Sequence, residues 1–349
     1  MAIQKLTTAD FLQLAKLHPV FDVRSPGEYL HAHIPGAVSL PLFTDEERKV
    51  VGTAYKQQSR EKAIKAGLDF FGVKMRGMIE QAEEQYKGQG GGIEKIALVH
   101  CWRGGMRSAG VAWLLDLYGF TVYTLVGGYK AYRKWVLQQF GKPYAFCIIG
   151  GYTGSGKTAV LQGLQEKGRT IIDLEKLANH KGSAFGATGT QPKQEMFENL
   201  LATALSLHAT DPVIYIEDES QRIGNLQIPM PLWYTIRKQP VFFLDIPFEE
   251  RLRYIVQEYG NMDREKIVNN IIRIKKRLGG LETKQAIGCL IEEDISGCFR
   301  ILLTYYDKYY KKALQNRENW DLLLNKIPCS GVDSTTNIQN LLICTTQNI

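Results

Sequence analysis

At 349 residues, with 44% hydrophobic and 23% charged side chains, the chain has an ordinary soluble composition and enough length for two separately cored domains. Six cysteines with no Cys-x-x-Cys pair argue against a zinc knuckle or a disulfide framework, and a net charge of +7 permits a polyanionic partner without requiring one. The opening residues, Met1 to Asp10, lack a basic stretch followed by an apolar one, and no run approaches the ~18 apolar residues of a membrane span, so no membrane association and a reducing cytoplasm are expected.

The first 140 residues alternate short strand patterns with helical ones. Val20-Phe-Asp-Val23 reads as a strand, and His33-Ile-Pro-Gly-Ala-Val-Ser-Leu40 places a Pro-Gly turn ahead of another. Residues 45–88 are charged and helical in pattern, closed by the loop Gly88-Gln-Gly-Gly-Gly92. Ile96 to His100 is an apolar strand aimed at Cys101, Val111 to Tyr118 a helix ended by Gly119, and Val122 to Val126 a further strand. Such β-α-β alternation predicts a largely parallel sheet with functional loops at the carboxyl ends of its strands.

A helix ending at Phe140 meets Gly141-Lys-Pro143, which marks a boundary between a domain at 1–140 and one at 141–349. The second domain opens with the strand Ala145 to Ile149, continues with strand patterns at 170–172, 213–216 and 241–244, and turns helical from Glu249 to about Leu324. Residues 330–349 carry no clear signal.

Two loops bear chemistry. In Cys101-Trp-Arg-Gly-Gly-Met-Arg-Ser108 the thiol follows a strand and precedes a helix, so turn amides and the helix's positive end can converge on its sulfur. Gly104 and Gly105 allow a tight turn, while Arg103 and Arg107 add positive charge that favours the thiolate. With Asp22-Val-Arg-Ser-Pro-Gly-Glu-Tyr29, His33 to Ala37 and Leu125-Val-Gly-Gly-Tyr129, this segment resembles a rhodanese domain. In that family the loop cysteine carries persulfide sulfur, a position that Cys101 occupies, while Asp22, Arg24 and Glu28 match a motif read as a structural polar network. The helical insert at 45–88 departs from a minimal sulfur-transfer domain.

The second loop, Gly151-Tyr-Thr-Gly-Ser-Gly-Lys-Thr158, is a complete P-loop between a strand and a helical stretch at 159–167. The backbone of Gly151, Gly154, Ser155 and Gly156 would wrap phosphate oxygens, Lys157 would neutralise the terminal phosphate, and the Thr158 hydroxyl would reach a magnesium ion. ATP, GTP and an isoprenoid diphosphate present a similar diphosphate to such a loop, though guanine's Asn-Lys-x-Asp is not recognisable. Glu217 and Asp218, with Glu219 behind them, end a strand and are the first candidates to hold magnesium; Asp245 is the next. Asp173 either faces the site or caps the helix starting at Leu174. The loop His180 to Gly186 reads equally as a substrate loop or an ordinary surface loop.

The tail clusters Arg273, Lys275, Lys276 and Arg277, then Tyr305, Tyr306, Lys308, Tyr309, Tyr310, Lys311 and Lys312. Basic groups interleaved with aromatics suit single-stranded RNA, and equally suit an amphipathic helix with tyrosines inward.

Read in order, these blocks, with Asp173-Leu-Glu-Lys-Leu-Ala-Asn-His-Lys-Gly-Ser-Ala-Phe-Gly186 and Glu217-Asp-Glu-Ser-Gln-Arg-Ile-Gly224, resemble the tRNA 2-selenouridine synthases over residues 1 to about 325. The resemblance implies an α/β chain with a rhodanese-like parallel-sheet domain, a P-loop NTPase-like domain and a helical carboxyl-terminal extension. It implies replacement of sulfur by selenium at C2 of a wobble 2-thiouridine in tRNA, with geranyl diphosphate and selenophosphate as co-substrates and an enzyme that makes selenophosphate as a partner. Cys101, with Arg103 and Arg107, would then serve selenium transfer as perselenide carrier or nucleophile, and Gly151 to Thr158 the diphosphate. Asp173, Glu217, Asp218 and Arg222 would contact substrate or magnesium. An ATP-dependent rhodanese-type sulfurtransferase and a non-catalytic sulfur-relay protein are the alternatives.

Overall fold

The computed structural model describes residues 3–88, 94–180, 189–260 and 262–348. Most of the loop expected after Gly88, and all of the possible substrate loop except His180, lie outside the described residues. The chain divides into two compact units, Met1–Gln139 with Glu198–Thr203, and Phe140–Phe197 with Ala204–Ile349.

In the first unit, β1 (Gln4–Leu6) and α1 (Thr8–Leu14) lead into β2 (Val20–Asp22), α2 (Pro26–His31) and β3 (Val38–Ser39). The insert is three helices, α3 (Asp45–Gln57), α4 (Arg60–Gly72) and α5 (Met75–Gly88). It is followed by β4 (Ile96–His100), α6 (Met106–Leu117), β5 (Thr121–Leu125) and α7 (Gly128–Gln139). The five strands pair in the order β1-β5-β4-β2-β3, and every pair is parallel.

Local chemistry starts these helices where the chain turns. Thr44 and Glu47 form a reciprocal capping box on α3, and the Ser59 hydroxyl accepts from the Lys62 amide at the start of α4. The insert is no loose appendage, because Phe71, Met78 and Ala82 are buried in one cluster with Phe21, Val99 and Leu115 of the sheet and of α6. Burying such a phenylalanine contributes about 2 kcal/mol. Asp22 pairs with His100 across β2 and β4, which brings the motif acid to the strand end that carries Cys101.

Beyond residue 139 the chain forms β6 (Phe146–Gly150), α8 (Lys157–Glu166), β7 (Ile171–Ile172), α9 (Leu174–Ala178), α10 (Gln194–Leu207) and β8 (Ile214–Glu217). A hairpin of β9 (Arg222–Ile223) and β10 (Leu226–Gln227) precedes α11 (Met230–Arg237) and β11 (Val241–Asp245). Four longer helices follow, α12 (Phe248–Tyr259), α13 (Arg264–Leu278), α14 (Gly280–Ile291) and α15 (Ile295–Gln315), then α16 (Trp320–Leu323), β12 (Leu324–Pro328) and α17 (Ser334–Asn348). The second five-stranded sheet runs β12-β11-β6-β8-β7, again wholly parallel.

Two elements depart from the sequence reading. Leu324-Asn-Lys-Ile-Pro328, where the helical pattern was expected to end without a strand following, is a sheet strand; it lies at the edge, where Pro328 at its end sacrifices no inner-ladder hydrogen bond. The segment without clear signal is largely α17, whose Ile338 and Leu341 are buried against the α8 residues Val160 and Leu164. A separate cluster built on Leu252, Ile267, Leu290 and Phe299 makes the helical extension a core of its own. Among the described residues, no helix is long and apolar enough to cross a membrane.

Candidate active sites of the two units

Cys101 leaves the carboxyl end of β4 and is 3% exposed at the base of a turn whose residues Trp102 to Met106 are open to solvent. Its Sγ accepts from the Gly105 amide at 3.3 Å and lies 3.2 Å from Ser108 Oγ. Burial by itself would raise the thiol's pKa; the Ser108 hydroxyl and the amides of Gly105, Ser108 and Arg103 outweigh it and hold the group below the usual thiol value. The turn is packed too tightly for side chains at two points: a Cβ on Gly104 would sit 2.6 Å from Leu125 O, and one on Gly128 would sit 2.3 Å from Cys101 O.

The two arginines do different things. Arg103 is exposed at the mouth of the loop and supplies an amide to the sulfur, whereas Arg107 donates to Glu28 Oε2 at 2.7 Å, a carboxylate also paired with Arg48 at 3.1 Å. The expectation that both guanidinium charges simply hold the thiolate is therefore corrected: hydroxyl and backbone N–H groups surround the sulfur, and Arg107 ties the loop to α2 through Glu28. Behind the loop, Arg24 and Asp22 form a fully buried pair with Arg24 Nε 2.9 Å from Asp22 Oδ1. Arg24 also donates to Ala32 O at 2.7 Å and its guanidinium lies 3.8 Å from the Tyr129 ring centroid. This is a structural network, in line with the motif reading. His100, fully buried beside Asp22, is kept neutral by desolvation.

In the second unit β6 ends at Gly150, and the following turn delivers α8 with Gly156 in the left-handed region at its N-cap. Gly154 has φ +80°, and a Cβ there would meet Ile255 Cδ1 at 2.8 Å and Arg251 O at 3.1 Å. Lys157 Nζ donates to Gly151 O at 2.9 Å, across the loop it would share with a phosphate. Ser155 Oγ is buried without a hydrogen-bond partner among the described residues.

The loop is pinned to α15 in two places. The Gly151 amide donates to Tyr310 Oη at 3.2 Å, and Tyr310 donates to Asp218 Oδ2 at 2.7 Å while Arg317 pairs with the other Asp218 oxygen. Arg251 donates to Thr153 O at 3.0 Å and bidentately to Asp307 at 2.9 and 2.7 Å. Between loop and helices lies a cavity of about 730 Å³. The P-loop and Glu175, Glu217 and Glu219 line one side, and Ile255, Phe299, Leu302, Leu303 and Tyr306 line another.

These contacts place the expected acids. Glu217, 3% exposed at the end of β8, stands beside Lys157 and Thr158, and burial pushes its carboxyl up to about 7. Asp218 is committed to Tyr310 and Arg317 and so does not offer a free carboxylate for magnesium. Asp173 caps α9 by accepting from the Lys176 amide at 2.8 Å. Arg222 sits on the β9–β10 hairpin with Nε on Gly224 O at 2.9 Å, and it does not line the cavity. Asp245 pairs with Lys326 at 3.4 Å, away from the cavity lining.

Glu175 and Glu219 instead join Glu217: one oxygen from each lies within 4.8 Å of the others, and Thr158 Oγ1 donates to Glu175 Oε2 at 3.5 Å. Glu219 is held well above the usual carboxylate range by desolvation, then by the charges of Glu217 and Glu175. Glu217 Oε1 has no partner among the described residues, so this all-oxygen cluster fits a hard divalent cation. On α15 the tyrosines at 306, 309 and 310 face this cavity while Lys308, Lys311 and Lys312 are exposed, as are Arg273, Lys275, Lys276 and Arg277 on α13.

A cysteine loop on one parallel sheet and a P-loop on another define a two-domain α/β chain. Residues 7–134 match the rhodanese-like domain, and residues 144–326 match the tRNA 2-selenouridine synthase AAA domain. A tRNA 2-selenouridine synthase from Pseudomonas putida (strain W619) is 35% identical over 286 residues, covering 75% of this chain and 76% of the relative. One from Bdellovibrio bacteriovorus is 33% identical over 347 residues, covering 86% and 89%. A solved N-terminal domain of an ATP/GTP binding protein from Clostridium difficile 630 is 38% identical over 39% of this chain and 99% of its own, with a TM-score of 0.35. The chain belongs to the tRNA 2-selenouridine synthase family.

Proposed function

We propose that the protein is a tRNA-modifying transferase that exchanges sulfur for selenium at C2 of the wobble 2-thiouridine, using geranyl diphosphate and then selenophosphate. The observation that carries the reading is the cavity beside the P-loop: past the phosphate-gripping amides its wall includes the apolar group Ile255, Phe299, Leu302 and Leu303, alongside the polar Gln221, Arg237 and Glu258. An isoprenoid diphosphate pairs one highly charged end with a hydrocarbon chain, and that apolar group is what its chain would contact.

In the first step the thione sulfur attacks C1 of the geranyl group. The C1–O bond breaks, pyrophosphate leaves with the bonding pair, and the base loses its N3 proton. The amides of the loop and Lys157 meet the charge that develops on the leaving oxygen. A bound magnesium ion, held by Glu175, Glu217, Glu219 and Thr158, would neutralise further diphosphate charge.

The second step needs no oxidant or reductant, because selenophosphate already carries selenium at the selenide level. The Cys101 thiolate attacks phosphorus, the P–Se bond breaks, and hydrogen selenide leaves; water then frees the sulfur by releasing orthophosphate. Hydrogen selenide adds at C2 of the S-geranyl base, geranyl thiolate departs, and the selenol proton ends on N3. An alkylated sulfur is thereby a far better leaving group than the thione it replaces. Arg103, exposed at the mouth of the loop, would meet phosphate charge there, while Arg107 holds the loop in place through Glu28. On this reading the reaction is cytoplasmic, and its selenophosphate comes from a selenophosphate-producing enzyme.

Cys101→Ala separates the two steps: S-geranyl-tRNA should form while selenium incorporation disappears, read by nucleoside mass spectrometry. Normal selenation in that variant would remove Cys101 from the mechanism. Lys157→Ala should cut geranylation by about 10²–10³, the usual loss for a preorganised charge-stabilising donor, and an unchanged rate would refute the diphosphate assignment.

A further inference from the structure

Resting on the tRNA-modifying reading, we propose that the later turns of α15 and the end of α13 form a docking strip for a single-stranded loop of tRNA, with Tyr309 as the ring on which a base stacks. On α15, Tyr305, Lys308, Tyr309 and Lys312 recur at i, i+3, i+4 and i+7 and so share one helix face. On α13, Arg273, Lys276 and Arg277 share a face in the same way. The two stripes meet, because Tyr309 Oη donates to Arg277 O at 3.3 Å.

The strip is positive and its charge is unanswered. Arg273, Lys276, Lys308 and Lys312 are exposed, and their side chains have no acidic partner among the described residues. Neither 273–278 nor 308–312 contains an acid. Asp307, which adjoins the second stretch, is taken bidentately by Arg251 at 2.9 and 2.7 Å. Cations in a last turn offset the helix dipole, which would account for the end of α13 alone. Lys308 stands two turns before the end of α15, beyond the reach of that effect. Phosphates of a nucleic acid supply the missing countercharge.

The aromatic component narrows the partner further. Tyr309 lines the P-loop cavity yet is 41% exposed, so its ring belongs both to the cavity and to the surface. Its centroid lies 4.7 Å from that of Tyr305, which in turn lies 5.1 Å from that of Tyr306. Backed by those rings and tied by its hydroxyl to α13, Tyr309 is ordered before a base arrives, which lowers the entropy lost on stacking. A duplex hides its base faces and would use the cations alone, whereas an unpaired loop can lay phosphates on the lysines and turn a base onto the ring. The wobble base sits in such a loop, and Tyr309 shares its cavity with Lys157 of the P-loop.

The test measures binding of thiolated tRNA to the full chain by fluorescence anisotropy across a salt series. On a single strand each phosphate contact adds about 0.7 to the slope of log affinity against log salt, or about a fourfold change in affinity at 0.15 M. The triple variant Lys276→Gln, Lys308→Gln, Lys312→Gln should therefore bind roughly 50-fold more weakly, with a slope lower by about 2. A control triple on the three-helix insert, Lys56→Gln, Lys62→Gln, Lys65→Gln, removes as many exposed cations and should bind as wild type does. Tyr309→Ala should lose about tenfold in affinity with the slope unchanged, and Tyr309→Phe, which keeps the ring, should stay near wild type. Thermal unfolding confirms that each variant is folded, and the three lysine substitutions made singly repeat the comparison if the triple is not. An equal loss in the control triple would reduce the effect to net charge and overturn the strip, as would unchanged tRNA binding in the strip triple. Vesicles containing phosphatidylserine form a parallel arm: a strip triple that loses vesicle binding while keeping tRNA binding would assign the face to a membrane surface and overturn the proposal. A wild type that fails to bind tRNA even at low salt would overturn the tRNA reading itself, and the strip with it.

Discussion

Glu217→Gln tests the electrostatics of the P-loop site without touching its shape. Burial, the largest influence, pushes the Glu217 carboxyl from 4.5 up to about 7; Lys157 and Thr158 pull it down, and Glu175 and Asp173 push it further up. Between those two values the folded chain keeps a proton that the unfolded chain has lost, so stability falls as pH rises through the window and the loss is complete above it. A rise of this size, at about 1.4 kcal/mol per pH unit, is worth roughly 3 kcal/mol. The substituted amide would be neutral at every pH. Denaturant unfolding at about pH 4 should find the two proteins alike, whereas at about pH 8.5 the variant should be more stable by roughly 3 kcal/mol. Added magnesium should restore the wild type at high pH and do much less for the variant, since the cation supplies the missing countercharge. Equal pH dependence in the two proteins would refute the argument, because it would mean that Glu217 ionises in the fold at no cost.

Three further outcomes follow from the contacts. Ser108→Ala removes the strongest influence lowering the Cys101 pKa, so the pH profile of iodoacetamide alkylation should move to higher pH; an unmoved profile would contradict the hydroxyl's role. Arg24→Met strands the buried Asp22 carboxylate and should cost about 3–5 kcal/mol of stability, checked by thermal unfolding of the full chain. Tyr310→Phe deprives both the Gly151 amide and Asp218 of a partner and should cost about 1–3 kcal/mol, with a higher KM for geranyl diphosphate as the loop loosens.

What the sequence disclosed was what local rules write into short windows. The strand–cysteine–glycine run and Gly151 to Thr158 are legible because loop geometry demands those residues at that spacing, and the apolar strands before them stand out. Edge strand β12 was not, since Leu324-Asn-Lys-Ile-Pro328 has neither alternation nor a continuous apolar run, and only its pairing with β11 makes it a strand. Helix α17 shares that fate: its buried face becomes visible only against α8.

The acid cluster illustrates the same limit at the site. Adjacent carboxylates at 217, 218 and 219 look interchangeable in sequence, yet Asp218 is claimed by Tyr310 and Arg317 from about a hundred residues away. Glu175 joins from a separate helix, α9, whose N-cap is Asp173. No spacing rule links Glu175 to Glu217, or Asp307 to Thr153; tertiary packing alone does. The tyrosine-rich tail resolves similarly, with Tyr306, Tyr309 and Tyr310 lining the cavity, Tyr305 outside that lining, and the lysines outward.

The most direct test of the two-step account is incubation of the full chain with thiolated tRNA, geranyl diphosphate and selenophosphate, each co-substrate omitted in turn, followed by nucleoside mass spectrometry. With selenophosphate left out, S-geranyl-2-thiouridine should accumulate; with geranyl diphosphate left out, the thiouridine should be returned unchanged; with both present, 2-selenouridine should form and orthophosphate should be released. Selenium incorporation without geranyl diphosphate, or no change to the tRNA under any combination, would contradict it.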